Sequence, residues 1–163
     1  MVGLFSRIIV GMTVKMPKWF VGWVSRRYVA GSDLDSAVKV MKRLSSEGAC
    51  FTIDVLGEDI STMDEAHFFL EEYKRVIEAI TSNNLDANLS IKPTAFGLSL
   101  DPEKGMENIE ALVRMASEHN NMFVRLDMED HRVTDDTIKV MLDLHEKGLK
   151  NVGVVLQARL FRT

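Results

Sequence analysis

From residue 32 onward the chain repeats one pattern four times: apolar positions at helical spacing, then a short apolar run. In the first unit Leu34, Ala37, Val38, Met41 and Leu44 fall on one helical face, with Ser32 where an N-cap belongs and Gly48 as the C-terminal stop. Phe51-Thr52-Ile53-Asp54-Val55-Leu56 then reads as a strand ending at Gly57. The second unit opens on Thr62-Met63-Asp64-Glu65, the spacing of a capping box, and runs through Phe69, Tyr73, Val76, Ile77 and Ile80 until Asn83-Asn84 break it. Ala87 to Lys92 alternates apolar and polar residues before Pro93. The third opens on Asp101 as N-cap with Pro102 at the first helical position, and Met122 to Asp127 follows as its strand. The fourth opens on Thr134, stops at Gly148 and leads into Asn151 to Gln157.

Strands near 50–56, 87–92, 122–127 and 151–157, each reached through a helix, pair in parallel because a helical crossover returns the chain to the same end of the sheet. Two architectures satisfy that: an open doubly wound sheet and a (β/α) barrel. A dinucleotide-binding sheet carries Gly-x-Gly-x-x-Gly after its first strand. Leu56-Gly57-Glu58-Asp59 stands there instead, which disfavours the open sheet. The expected fold class is therefore α/β, a partial (β/α) barrel over residues 32–163 behind a helical arm over residues 1–31.

The arm mixes Phe5, Ile8, Ile9 and Met12 with Arg7, Lys15, Lys18, Arg26, Arg27, Trp19 and Trp23. The basic residues interrupt any secretory apolar stretch. It reads either as a short helix packed on the body, or as a basic, Trp-bearing segment (residues 1–24) lying on an anionic membrane surface.

Composition narrows the classes further. Hydrophobic residues make up 46% and charged residues 27% of the 163 positions, which excludes a disordered chain. A single cysteine excludes a disulfide scaffold, and a net charge of −4 gives no field for nucleic acid. Cys50, at the start of an apolar run, reads as a small buried hydrophobe in a reducing, cytoplasmic setting. No apolar run reaches the roughly 18 residues of a spanning helix. His67, His119 and His145 fall on helices as surface or packing residues, and the ten methionines read as core filling.

In parallel α/β folds the chemistry lies beyond the carboxyl ends of the strands. Those ends carry Asp54 with Glu58, then Lys92, then Asp127 with Glu129, then Gln157. Lys92, Asp127 and Gln157 lie about one βα unit apart, so they should occupy equivalent places on consecutive strands. Asp127, Glu129 and His131 would share a face if the third strand ran on, a set suited to Mn, Zn or non-haem Fe in a metal-dependent lyase or hydrolase. Lys92 as a Schiff-base lysine is disfavoured, because a nearby Asp127 would keep it charged.

Arg27-Tyr28-Val29-Ala30-Gly31, Asp54-Val55-Leu56-Gly57-Glu58, Leu89-Ser90-Ile91-Lys92, Arg125-Leu126-Asp127-Met128-Glu129-Asp130 and Gly153-Val154-Val155-Leu156-Gln157-Ala158 occur in this order. Together they resemble the proline dehydrogenase family. The resemblance implies a distorted (β/α)8 TIM barrel that holds FAD at the strand ends and oxidises L-proline to Δ1-pyrroline-5-carboxylate. Electrons would pass to membrane quinone, so peripheral contact at the inner membrane face is expected, with no metal and no nucleic acid. By the same resemblance Lys92 contacts substrate, Asp127 is an active-site residue, Leu126 touches the flavin and Gln157 binds FAD. Asp127 is also expected to hold Lys92 in place. An eight-unit barrel takes about 250 residues. A chain ending at Thr163 supplies only four of the eight units, a half barrel, and lacks the later strands and the closing helix. It is therefore expected to be an inactive fragment by itself, and a non-catalytic half-barrel module is the rival expectation.

Overall fold

The computed structural model describes residues 17, 20, 24, 28–31, 33–57 and 60–158. The expected arm, and with it the membrane reading of residues 1–24, falls almost wholly outside the described residues, as do Ser32 and Glu58. The chain divides into two compact units, Met1–Val40 and Met41–Thr163. Helix α1 (Leu34–Ser45) runs across the division. Its cap is Asp33, whose Oδ1 accepts from the Ser36 amide at 2.8 Å, the geometry of an N-cap carboxylate three residues upstream.

In the second unit β1 (Phe51–Ile53), α2 (Met63–Ser82), β2 (Ala87–Ile91), a 3-10 turn (Pro93–Phe96), α3 (Pro102–Glu118), β3 (Val124–Leu126), α4 (Thr134–Glu146) and β4 (Val152–Val154) follow one another. All three strand pairs are parallel, and the sheet order is β1-β2-β3-β4. A strictly sequential order has no reversal point, which is the arrangement of a barrel wall and not of a doubly wound sheet. The strands lie inside the predicted stretches and are shorter. Each ends just before the polar residues Asp54, Lys92 and Asp127, or before Val155.

The local signals work as chemistry predicts. Thr62 Oγ1 accepts from the Glu65 amide at 3.3 Å, and Glu65 Oε2 accepts in return from the amides of Thr62 and Ser61. Asp101 Oδ1 caps α3 through the Lys104 amide. Asn84, Gly48 and Gly148 leave their helices with positive φ. Cys50 is exposed, contrary to expectation. It precedes β1, the strand at one margin of the described sheet.

Alternation sorts the strands into two faces. Leu89, Ile91, Val124 and Leu126 are fully buried with Ile77, Ile109, Leu112, Val113 and Leu144 of the helices. Burying such a side chain stabilises by about 1.5–3 kcal/mol each. The opposite face carries Asp54, Ser90, Lys92, Arg125 and Asp127. Asn151 is buried and ties the start of β4 to the helix layer, donating through Nδ2 to the carbonyls of Val113 and Met122 at 3.1 and 3.0 Å.

One close approach packs α3 against the segment that carries Leu98. A Cβ on Gly105, in the first turns of α3, would lie 2.6 Å from the Leu98 amide nitrogen and 2.7 Å from its Cα. Backbone cannot yield there as a flexible side chain can. Gly105→Ala is therefore expected to cost about 1–3 kcal/mol of stability, seen as a melting temperature lower by several degrees. An unchanged melting curve would remove this contact from the packing account.

Candidate active site

β1 ends at Ile53, and the next residues turn their polar groups toward the strand ends. Asp54 Oδ2 pairs with Lys92 Nζ at 2.8 Å, linking the ends of β1 and β2. Both side chains are largely buried, 27% exposed for Asp54 and 21% for Lys92. Each charge therefore loses part of its water and is partly compensated by the other. Asp127, at the end of β3, accepts from Ser90 Oγ at 2.6 Å. Among the described residues Lys92 pairs directly with Asp54 on the neighbouring β1, and Asp127 is fixed by Ser90, so any hold of Asp127 on Lys92 acts through space and not through a direct ion pair.

Beyond the strands, the Thr94 amide donates to Glu129 Oε2 at 2.9 Å and the Thr94 hydroxyl bonds Oε1. One carboxylate so clamps the 3-10 turn after β2 to the loop after β3. In that loop Asp130 is bonded by both the side chain and the amide of Arg132. The guanidinium, first through its hydrogen bond, holds the Asp130 carboxyl at about 2. Gln157, past β4, donates through Nε2 to the Met128 carbonyl at 2.9 Å, which folds the end of the fourth strand onto that of the third.

Lys92, Asp127 and Gln157 line one open cleft of about 990 Å³, with Thr94, Leu98 and Met128 among the other wall residues. That volume lies at the upper end of small-molecule sites. Three of the four singled-out residues thus share one cavity. Leu126 does not line it: it is 0% exposed, because alternation sends it to the helix-facing side when Asp127 faces the cleft.

The metal set does not assemble. β3 ends at Leu126, so the residues after Asp127 belong to a loop and no longer alternate. Glu129 spends both oxygens on Thr94, and His131 is exposed. Among the described residues no group of three or more His, Cys, Asp or Glu is placed to hold a metal ion.

Sequence reasoning missed Ser90, Thr94 and Tyr73 as members of this network. Ser90 stands two residues before Lys92, so period-two alternation could have placed it. Tyr73 is 1% exposed on the buried face of α2, and its hydroxyl reaches the strand ends, where it meets the Val55 amide, the Ser90 carbonyl and Asp54 Oδ1. Burial, followed by the nearby Asp54 charge, raises the phenol's pKa far above its ordinary value, so it stays protonated. A buried tyrosine needs a partner for its hydroxyl, and that need was the available signal.

Known proteins share both the sequence and the fold. The family described as proline dehydrogenase matches residues 37–163. Proline dehydrogenase 1 of Bacillus subtilis subsp. natto is 38% identical over 138 residues, 85% of this chain and 45% of that protein. Proline dehydrogenase of Deinococcus radiodurans is 31% identical over 144 residues, 86% of this chain and 46% of that protein. The chain thus spans about half the length of these curated relatives. In structure it resembles proline utilization A (PutA) from Bdellovibrio bacteriovorus, in a crystal structure of the protein inactivated by N-propargylglycine. The TM-score is 0.78 at 23% identity, covering 98% of this chain and 19% of that one. With a family match over most of its length, and strand-end residues gathered in one cleft, the chain belongs to the proline dehydrogenase family.

Proposed function

We propose that the strand-end cleft serves the oxidation of L-proline to Δ1-pyrroline-5-carboxylate with FAD as hydride acceptor, the first step of proline catabolism. The observation that carries this reading is the gathering of Lys92, Asp127 and Gln157 around one cleft. Proline is a zwitterion, so its site must meet a carboxylate and an amine at once. Lys92 supplies the cation for the carboxylate. An ammonium has three donors, so it can hold Asp54 and a substrate carboxylate together. Asp127 supplies an anion on the amine side, oriented by Ser90.

The reaction removes a hydride from the carbon next to nitrogen and a proton from nitrogen, and leaves a C=N bond. The amine must therefore react unprotonated, and Asp127 would orient it. A bound FAD supplies the two-electron acceptor. The lining is compatible with a flavin ring: Leu100 and Val155 would offer apolar surface, and the Gln157 amide, which both donates and accepts, would suit its polar edge. Leu126 is buried by its side chain, and its carbonyl accepts from the Val155 amide, so any flavin contact at this position is proposed through the backbone.

Membrane quinone is the proposed onward acceptor, which places the protein in the cytoplasm with contact at the membrane face. Among the described residues no helix is long and apolar enough to cross a membrane. The test is steady-state turnover of L-proline with a soluble quinone, in a protein that carries this chain within the full length of its relatives. Formation of the cyclic imine is the expected result. A flavin-loaded protein that leaves L-proline untouched contradicts the reading.

A further inference from the structure

We propose that Tyr73, on α2, is a positioning residue that sets the Asp54–Lys92 pair for recognition of the substrate carboxylate. The inference rests on the proline-oxidising reading and assigns within it a residue that touches neither substrate nor flavin.

The geometry is specific. The β1–β2 ladder registers Phe51 to Ile53 against Ala87 to Leu89 and ends there. One step further the Tyr73 hydroxyl stands between the two strands. It accepts from the Val55 amide at 3.0 Å and lies 2.7 Å from the Ser90 carbonyl oxygen. It thereby bridges two backbone groups beyond the last paired residues. The same oxygen is 3.0 Å from Asp54 Oδ1, so its single proton serves the Ser90 carbonyl and the carboxylate. Asp54 is consequently held from two directions, through the backbone of its neighbour Val55 and through its own Oδ1. Its other oxygen, Oδ2, is the one that meets Lys92 at 2.8 Å.

The ring is a rigid support for this. It is 1% exposed and packs against Phe96 with centroids 5.5 Å apart. Phe96 belongs to the 3-10 turn that follows Lys92 directly, so the ring contact ties Tyr73 to the segment that carries the lysine. Because the phenol stays protonated, it offers Asp54 a donor and never a competing charge. Without the hydroxyl, Asp54 Oδ1 loses a partner and the carboxylate can rotate. The ammonium that follows it then no longer stands where a carboxylate would be met. The amine side, Asp127 and Ser90 Oγ, meets the hydroxyl only through the Ser90 backbone carbonyl, and Ser90 is also registered against Arg125 in the β2–β3 ladder.

The test uses two ring probes on the flavin-loaded protein of full length: cyclopentanecarboxylate, which has the acid without the amine, and pyrrolidine, which has the amine without the acid. Tyr73→Phe keeps the ring and removes the hydroxyl. It is expected to weaken cyclopentanecarboxylate about tenfold, one hydrogen bond to a charged group, with pyrrolidine changed less than about threefold. KM for L-proline should rise by the same factor as the carboxylate probe. Asp54→Asn should do likewise, and adding Tyr73→Phe to it should cost nothing further, because the two residues act in series. Equal weakening of both probes, additive effects in the double variant, or a Tyr73→Phe protein that cannot fold or hold flavin assigns Tyr73 a structural role and overturns the proposal. So does carboxylate binding unchanged in either variant. If the unsubstituted protein binds neither probe and does not oxidise proline, the functional reading itself has failed.

Discussion

Replacing Lys92 with methionine is expected to lower kcat/KM for L-proline by about 10- to 100-fold, the range of one lost hydrogen bond to a charged partner. Methionine keeps most of the apolar stem and removes only the ammonium, so the loss reads the charge. The effect should appear mainly in KM, since the carboxylate is bound in the ground state and the transition state alike. Flavin content should stay the same, because the Gln157 wall and the apolar wall are untouched. The substitution also strands Asp54, which is 27% exposed and loses its 2.8 Å partner. Partial exposure lets water replace part of that partner, so the stability cost should stay near 1 kcal/mol. Proline kinetics equal to those of the unsubstituted enzyme would remove Lys92 from the site.

Leu126→Ala should act in the opposite way, on stability before chemistry. The side chain is fully buried in the face that carries Leu89, Ile91 and Val124. Removing it leaves a cavity in the helix-facing core, and such truncations cost about 2–5 kcal/mol. For a chain of this size that lowers the melting temperature by roughly 4–20 °C. Flavin affinity, measured well below the transition, should change little, because alanine keeps the backbone that faces the strand end. A melting curve left in place, with flavin affinity reduced, would instead make the Leu126 side chain a cofactor contact.

These two residues show what the sequence could and could not convey. Caps and stops are local chemistry, so Thr62, Asp101, Asn84 and Gly148 marked helix ends correctly. Equal βα spacing was enough to bring Lys92, Asp127 and Gln157 to one end of the sheet. The partners of those residues were not legible, because each link spans many residues. Asp54 finds Lys92 across 38 positions, Ser90 finds Asp127 across 37, and Thr94 finds Glu129 across 35. Leu126 adjoins Asp127 in sequence, and period-two alternation puts its side chain on the other side of the sheet. The metal set read from Asp127, Glu129 and His131 failed for the same reason in reverse, since it assumed a period that ends with β3. Cys50 was misjudged because an apolar neighbourhood in sequence does not show which strand stands at a sheet margin.

Proline oxidation at this cleft is tested most directly by an anaerobic titration of the flavin-loaded protein, carrying this chain within the full length of its relatives, with L-proline. The flavin's visible absorption is expected to bleach in proportion to added L-proline, D-proline and pyrrolidine to leave it unbleached, and Lys92→Met to shift the titration to higher proline. A flavin that stays oxidised at saturating L-proline would contradict proline oxidation at this cleft.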